Sequence, residues 1–150
     1  MSKKRVIPRL ATTPRKAISG NEPANERDNK LRPAWRFSTV DRNGAFAWPD
    51  SQEALKAIHD FLCDIDGKTW GELLHNDQGG SHDIEFSRMS PKAQQRLTAL
   101  NMEEKADGFL MSLRMTGKKR LFCYITESTV ANLLWYDPDH QVCPSPKKHT

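Results

Sequence analysis

The feature that most constrains the fold is a run of three strand-like segments near the C-terminal end of the chain. Apolar and polar residues alternate in these segments, which are FLMSLRM at residues 109–115, RLFCYIT at 120–126 and VANLLWY at 130–136. Side chains of a strand point alternately to its two faces, so each segment places an apolar set on one face. Turns at Gly117 and at Glu127-Ser128 separate the segments, and turns this short favour antiparallel pairing. The sequence therefore predicts a three-stranded antiparallel meander.

A hairpin is predicted ahead of the meander, at residues 35–48. The segments WRFSTV and AFAW flank Asn43-Gly44, a dipeptide that accepts the positive backbone angles of a tight hairpin turn. A shorter extended piece is expected around Ile84 and Phe86, which are two residues apart.

Three helices are predicted between the hairpin and the meander. The first begins at Asp50 and has five apolar residues at helical spacing, namely Leu55, Ile58, Phe61, Leu62 and Ile65. The second opens with a capping box of Thr69 and Glu72, and the third begins at Ser90-Pro91. The predicted class is α+β: an antiparallel sheet, made of the N-terminal hairpin and the C-terminal meander, packs one face on two or three helices.

The positive charge of the chain is concentrated at its N-terminal end. Residues 1–33 hold nine Lys or Arg against three acidic residues, four prolines and few large apolar residues. Such a segment buries too little apolar surface to offset its ordering entropy, so we predict a disordered basic arm at 1–33 and a single domain at 34–150. The domain holds fourteen basic and sixteen acidic residues, which argues against the whole body being a nucleic-acid surface.

A reducing, cytoplasmic location is expected, with no membrane partner. The three cysteines are an odd number without the spacing of a disulfide framework, and Cys63 and Cys123 fall on predicted apolar faces. The sequence also lacks an apolar run near 18 residues and the apolar core of a signal peptide.

A candidate catalytic site lies at the end of the last predicted strand. Its predicted members are His140, Arg120, Arg114, Tyr124 and Asp137. Arginine side chains stabilise charge that develops on a phosphodiester, and a histidine or tyrosine moves a proton. RNA cleavage of this kind needs no metal and no cofactor, because the neighbouring 2′-hydroxyl is the nucleophile. The alternative is structural: Asp-Pro-Asp commonly starts a turn, and Arg or Tyr on a sheet face is often simply solvated.

Further basic residues are candidates for contacts with nucleic-acid phosphates. They are Lys118 and Lys119 in a meander turn, Lys147 and Lys148 in the tail, and Lys3, Lys4 and Arg5 in the arm. A solvated tail is the alternative for the arm. A metal site is a weaker alternative for His140, Cys143, His149 and His82, because their spacing is not a standard zinc pattern.

Two resemblances follow from these motifs. The pieces WRFSTVD, TWGELL, SPKAQQRL, RLFCYITES and LLWYDPDHQVCPSPKKHT resemble a family of small, uncharacterised bacterial proteins that ends in W-x-D-P-x-H-x-V-x-P. The architecture is also similar to that of RelE/ParE-type toxins, which carry basic and His or Tyr residues on their late strands. The second resemblance lies in architecture and residue type, and acidic Asp137 and Asp139 depart from it.

The functional prediction is a toxin-like, metal-independent endoribonuclease of a bacterial toxin–antitoxin or phage-defence system. Its expected partners are RNA and a cognate antitoxin. The alternative is a non-catalytic accessory protein of a phage-defence or mobile-element operon, which binds a larger defence protein or nucleic acid.

Overall fold

The structure is a computed structural model that describes residues 27–74 and 81–144. Its strands are β1 (Ala34–Arg36), β2 (His82–Glu85), β3 (Phe109–Arg114), β4 (Arg120–Thr126) and β5 (Val130–Asp137). Its α-helices are α1 (Gln52–Ile65), α2 (Trp70–Leu74), α3 (Pro91–Ala99) and α4 (Met102–Ala106), and a 3-10 turn covers Phe86–Arg88. Within these described ranges, no helix has both the length and the apolar composition needed to span a bilayer.

The five strands form one mixed sheet in the order β1-β5-β4-β3-β2. The predicted meander is confirmed, since β3 pairs antiparallel with β4, and β4 with β5. The expected extended piece around Ile84 is also confirmed, and it pairs antiparallel with β3. The class is therefore α+β, as predicted.

The predicted hairpin at residues 35–48 is wrong. Only β1 forms there, and it pairs parallel with β5, from Ala34 opposite Val130 to Arg36 opposite Asn132. After β1 the chain turns, and the backbone N–H of Asp41 donates to the carbonyl of Leu134 at 2.9 Å. The physical reason lies in β5, an eight-residue strand that is almost entirely buried. Unpaired backbone N–H and C=O groups along its outer edge would be costly, so pairing of β1 with this edge is favoured over a separate surface hairpin.

Helices cover both faces of the sheet, which corrects the expectation of a single helical layer and an open sheet face. On one face, α1 and α2 pack against Met111, Leu121 and Leu133. On the other face, α3 and α4 pack against Leu110 and Phe122. Because both faces are covered, β4 and β5 are buried almost without interruption, the pattern expected for strands at the centre of three layers.

The helix starts follow the capping rules, with one shift. Helix α1 is capped by Ser51, whose hydroxyl accepts from the Ala54 N–H at 3.2 Å, instead of by the predicted Asp50. The capping box of Thr69 and Glu72 is confirmed in both directions, at 2.8 and 3.2 Å.

The apolar stripe predicted on α1 is confirmed in part. Ile58, Leu62 and Ile65 are buried and Phe61 is partly buried, but Leu55 is 40% exposed.

Residues 27–33, which the sequence assigns to the N-terminal arm, lie against the body of the protein. The carbonyl of Leu31 accepts from the Trp70 N–H at 2.9 Å, and the Asp28 N–H donates to the carbonyl of Ser128 at 2.9 Å. This segment therefore connects α2 to the β4–β5 turn. The rest of the predicted arm, residues 1–26, lies outside the described residues, as do residues 75–80 and 145–150.

Candidate functional site

A row of charged residues crosses the sheet at one end of strands β3, β4 and β5. The strand register places Arg114 opposite Arg120, and Arg120 opposite Asp137. Strand alternation puts the two arginines on the same face as Ser112 and Phe122, which is the face covered by α3 and α4. The sequence-predicted proximity of these residues on three neighbouring strands is thus present in the structure. We call Arg114, Arg120 and Asp137 the charged row.

Asp137 fixes the bend that follows β5. Its side chain is buried, with 1% of the residue exposed. One carboxylate oxygen accepts from the Gln141 N–H at 2.9 Å and the other from the Val142 N–H at 2.8 Å. Both oxygens are therefore held by backbone donors, as in the structural interpretation of the Asp-Pro-Asp motif. Asp137 positions the bend and contributes a fixed negative charge beneath it.

His140 lies within this bend, in a left-handed backbone conformation with φ of 59°. Its side chain is half-buried, and the charges that act on it come from Arg120, Asp137, His82 and Lys118. Burial and the positive charge of Arg120 lower the pKa of His140 below the ordinary histidine value, although Asp137 opposes this shift. The imidazole is therefore mostly neutral near pH 7 and can accept a proton.

The guanidinium of Arg120 is oriented by the turn between β3 and β4. Its Nη1 donates to the carbonyl of Gly117 at 2.8 Å and to that of Lys119 at 3.0 Å. Burial and the nearby charge of Arg114 lower the pKa of Arg120, but an arginine keeps its charge at physiological pH. The same turn carries Lys118, so positive charge gathers around the charged row.

His82 also acts electrostatically on His140, although the sequence did not indicate it as a catalytic residue. It begins β2 and is opposite Ser112 of β3, and it shares a strand face with the buried Ile84. The alternation of the four residues HDIE in β2 indicates that His82 and Ile84 point to the same face of the sheet. The pairing of β2 with β3 joins residues about thirty positions apart, so no local pattern in the sequence predicts it.

Tyr124 lies away from the charged row, contrary to the expectation that it belongs to the candidate catalytic site. It lies four residues from Arg120 along β4, which is about 13 Å in an extended strand. Its neighbours are Asn132, opposite it in the register, and Arg36. Burial raises the pKa of Tyr124, so its hydroxyl stays protonated.

The remaining predicted binding residues fall into two groups. Lys118 and Lys119 lie in the β3–β4 turn beside the charged row. The others, Lys147, Lys148, Lys3, Lys4 and Arg5, lie outside the described residues.

The metal alternative has little support in the part of the chain that is described. No three His, Cys, Asp or Glu side chains gather there as a metal site. The thiol of Cys143 donates to the carbonyl of Arg88 at 3.3 Å. His149 lies outside the described residues.

A second buried carboxylate, Asp41, has a different environment. It accepts from Arg96 through both oxygens, at 2.7 and 2.9 Å, and from the indole N–H of Trp135 at 2.9 Å. The Asn43 N–H donates to it as well, at 3.1 Å. We call Asp41, Arg96 and Trp135 the Asp41 cluster. No local sequence pattern reveals this cluster, because Arg96 is 55 residues from Asp41.

Comparisons with protein-family models, with curated proteins and with solved structures find no match to this chain. The chain is therefore defined by its own geometry, as an α+β protein with a five-stranded mixed sheet and a charged row at one sheet end. The two sequence resemblances stay predictions.

Proposed function

We propose that this protein is a toxin-like endoribonuclease that cleaves RNA without a metal ion, in the cytoplasm of a bacterium. The observation that carries the proposal is the position of His140 beside the charged row. A half-buried imidazole that favours its neutral form lies within the field of Arg120, and Arg114 is opposite Arg120 in the strand register. A neutral imidazole beside guanidinium groups suits proton transfer at a phosphodiester.

The residues have distinct roles in the proposed reaction. Arg114 and Arg120 bind the phosphate and stabilise the negative charge that develops on its oxygens. His140 accepts the proton of the 2′-hydroxyl as that oxygen attacks the phosphorus atom. Asp137 acts through the bend that it holds, so it is a positioning residue and not a catalytic one.

A cleavage assay with matched histidine variants tests the proposal. We expect purified wild-type protein to cleave a fluorescent RNA oligonucleotide, and His140→Ala to be slower by about 100-fold or more, because it lacks the proton acceptor. His59→Ala is the control, since His59 is exposed on α1, which packs on the other face of the sheet. Equal rates for His140→Ala and wild type would contradict the assignment.

Growth of bacteria provides a second measurement. A toxin should arrest growth when it is expressed, and His140→Ala or Arg120→Ala should relieve the arrest at equal protein levels. A cognate antitoxin, as an acidic partner, should restore growth by covering the charged row. Normal growth with abundant, folded wild-type protein would count against a toxin.

A non-catalytic accessory protein is the second candidate. The observation that favours it is that two of the five predicted catalytic side chains are unavailable, since Asp137 is bound by the backbone and Tyr124 is distant. This candidate predicts RNA or protein binding without cleavage. Deleting residues 1–26 should then weaken binding of the larger defence protein, whereas the body keeps its fold.

A further inference from the structure

We propose that His82 is the second proton-transfer residue, the general acid that protonates the leaving 5′-oxygen of RNA opposite His140. This inference rests on the proposed ribonuclease function. It specifies that two histidines transfer protons in the reaction, and it specifies the chemical groups at the two new RNA ends.

His82 flanks the charged row on its β3 side, whereas His140 follows β5 on the other side. His82 is opposite Ser112 of β3, and Arg114 lies two residues farther along the same strand and face. Strands are spaced about 4.8 Å apart, so the backbones of β2 and β4 are separated by about 10 Å. His82 and Arg120 therefore lie on the same face of the sheet, with β3 between them and an offset of two residues along the strands.

His140 approaches the same place from the end of β5. Asp137 is the last residue of that strand and is opposite Arg120, and it holds the bend that contains His140. The charge of Arg120 acts on His140. His82 is one of the four residues whose charges act on His140. Arg114 and Arg120 are on β3 and β4, which lie between β2 and β5. A phosphate bound between the two histidines would need positive charge at this position.

The reaction balances with these two groups alone. His140 takes the proton of the 2′-hydroxyl, and the bond between O2′ and phosphorus forms. The bond between phosphorus and O5′ breaks, and its electron pair leaves on O5′, which receives a proton from the imidazolium of His82. The products are a 2′,3′-cyclic phosphate and a 5′-hydroxyl. Exchange of one proton with water, from His140 and to His82, restores the starting state.

The electrostatic surroundings assign the acceptor role to His140. The groups around it are Arg120 on β4, Asp137 on β5, Lys118 on the turn and His82 on β2, with Arg114 beside Arg120. Burial and then the charge of Arg120 lower the pKa of His140 against the opposing charge of Asp137, so the imidazole gives up its proton readily.

The test uses RNA in which the bridging 5′-oxygen at one linkage is replaced by sulfur. A thiolate leaves without protonation, so this substrate does not need a general acid. We expect His82→Ala to cleave ordinary RNA about 100-fold more slowly than wild type, and to cleave the sulfur substrate at a rate within about tenfold of wild type. His140→Ala should be slow on both substrates, because the 2′-hydroxyl still requires a base.

Two controls keep the outcome interpretable. His82 is exposed at the start of an edge strand, and His82→Gln retains a polar side chain if His82→Ala unfolds. Circular dichroism checks the fold of each variant, and His59→Ala should behave as wild type. The role of His82 is overturned if its variants cleave ordinary RNA at the wild-type rate, or if they lose equal activity on both substrates. If wild-type protein cleaves neither substrate, the proposed function itself fails.

Discussion

The Asp41 cluster and the charged row are both polar groups at a sheet, but their charges are balanced differently. In the Asp41 cluster one carboxylate meets one guanidinium, and an indole and a backbone N–H complete its hydrogen bonds. At the charged row, Arg114 is opposite Arg120, and Arg120 is opposite Asp137, whose oxygens accept from backbone N–H groups. In the Asp41 cluster, the hydrogen-bonding groups of the carboxylate are satisfied by residues of the protein, and this supports the fold. The charged row places two guanidinium groups on neighbouring strands, where their charges repel, and this arrangement suits an anionic ligand.

The largest expected effect is on stability, in the Asp41 cluster. Asp41→Ala leaves the Arg96 charge and the Trp135 N–H without their acceptor, and only 2% of the Asp41 side chain is exposed. We expect the free energy of unfolding to fall by about 2–4 kcal/mol, because Asp41 is buried but 27% of the Arg96 side chain reaches solvent. Urea unfolding measures this. Asp139→Ala, an exposed carboxylate, is the control and should leave stability unchanged.

The next effect tests how tightly the Asp41 cluster is packed. Gly44 has φ of +92°, and a Cβ there would lie 2.8 Å from Nε of Arg96. We expect Gly44→Ala to cost about 2–3 kcal/mol in thermal or urea unfolding, because backbone strain adds to displacement of Arg96. Gly117→Ala has the same type of strain, with φ of +58° and open space around it, and should cost about 1–2 kcal/mol. Equal costs would mean that Arg96 moves aside freely.

A smaller effect is the pH dependence of stability. Burial raises the pKa of Asp41, but hydrogen bonds from Arg96, Trp135 and Asn43 outweigh it and lower the pKa below its ordinary value. A carboxyl group with a lowered folded-state pKa contributes stability above its unfolded pKa, near 3.9, and loses it as the pH falls through the folded value. Unfolding measured from pH 6 to pH 2 should show this loss. Asp41→Asn should be less sensitive over the acid range, and an unchanged profile would contradict the ionised pair.

The smallest effect concerns RNA affinity at the charged row. Arg120→Gln removes one phosphate contact, so the slope of log affinity against log salt should decrease by about 0.7 for single-stranded RNA. Fluorescence anisotropy at several salt concentrations measures it. Lys56→Gln removes a charge of the same sign from α1, where Lys56 pairs with Asp60, and should leave the slope unchanged. Equal slopes for Arg120→Gln and wild type would place the phosphates elsewhere.

Local patterns predicted most elements of the fold but not the short helix α4, and non-local pairing accounts for the error at the predicted hairpin. The meander followed from alternation, and the capping box of Thr69 and Glu72 from residues three positions apart. The parallel β1–β5 pair joins residues 96 positions apart, and it replaced a hairpin that Asn43-Gly44 favoured locally. Adjacent Asp50 and Ser51 are both good caps, so sequence alone could not choose between them.

The candidate site shows the same limit. His140, Arg120 and Arg114 could be grouped from the sequence, because consecutive antiparallel strands align their ends. Tyr124 shares a face with Arg120, but its distance along the strand excludes it. His82 is placed near the charged row by the pairing of β2 with β3, and no local sequence pattern determines this pairing.

Histidine resonances observed by NMR test the central claim most directly. The probe is an RNA oligonucleotide whose 2′-O-methyl groups block cleavage, titrated into ¹⁵N-labelled protein. The account predicts that the imidazole signals of His140 and His82 shift with RNA concentration, and that those of His59 on α1 do not. Shifts at His59 with no change at His140 and His82 would contradict it.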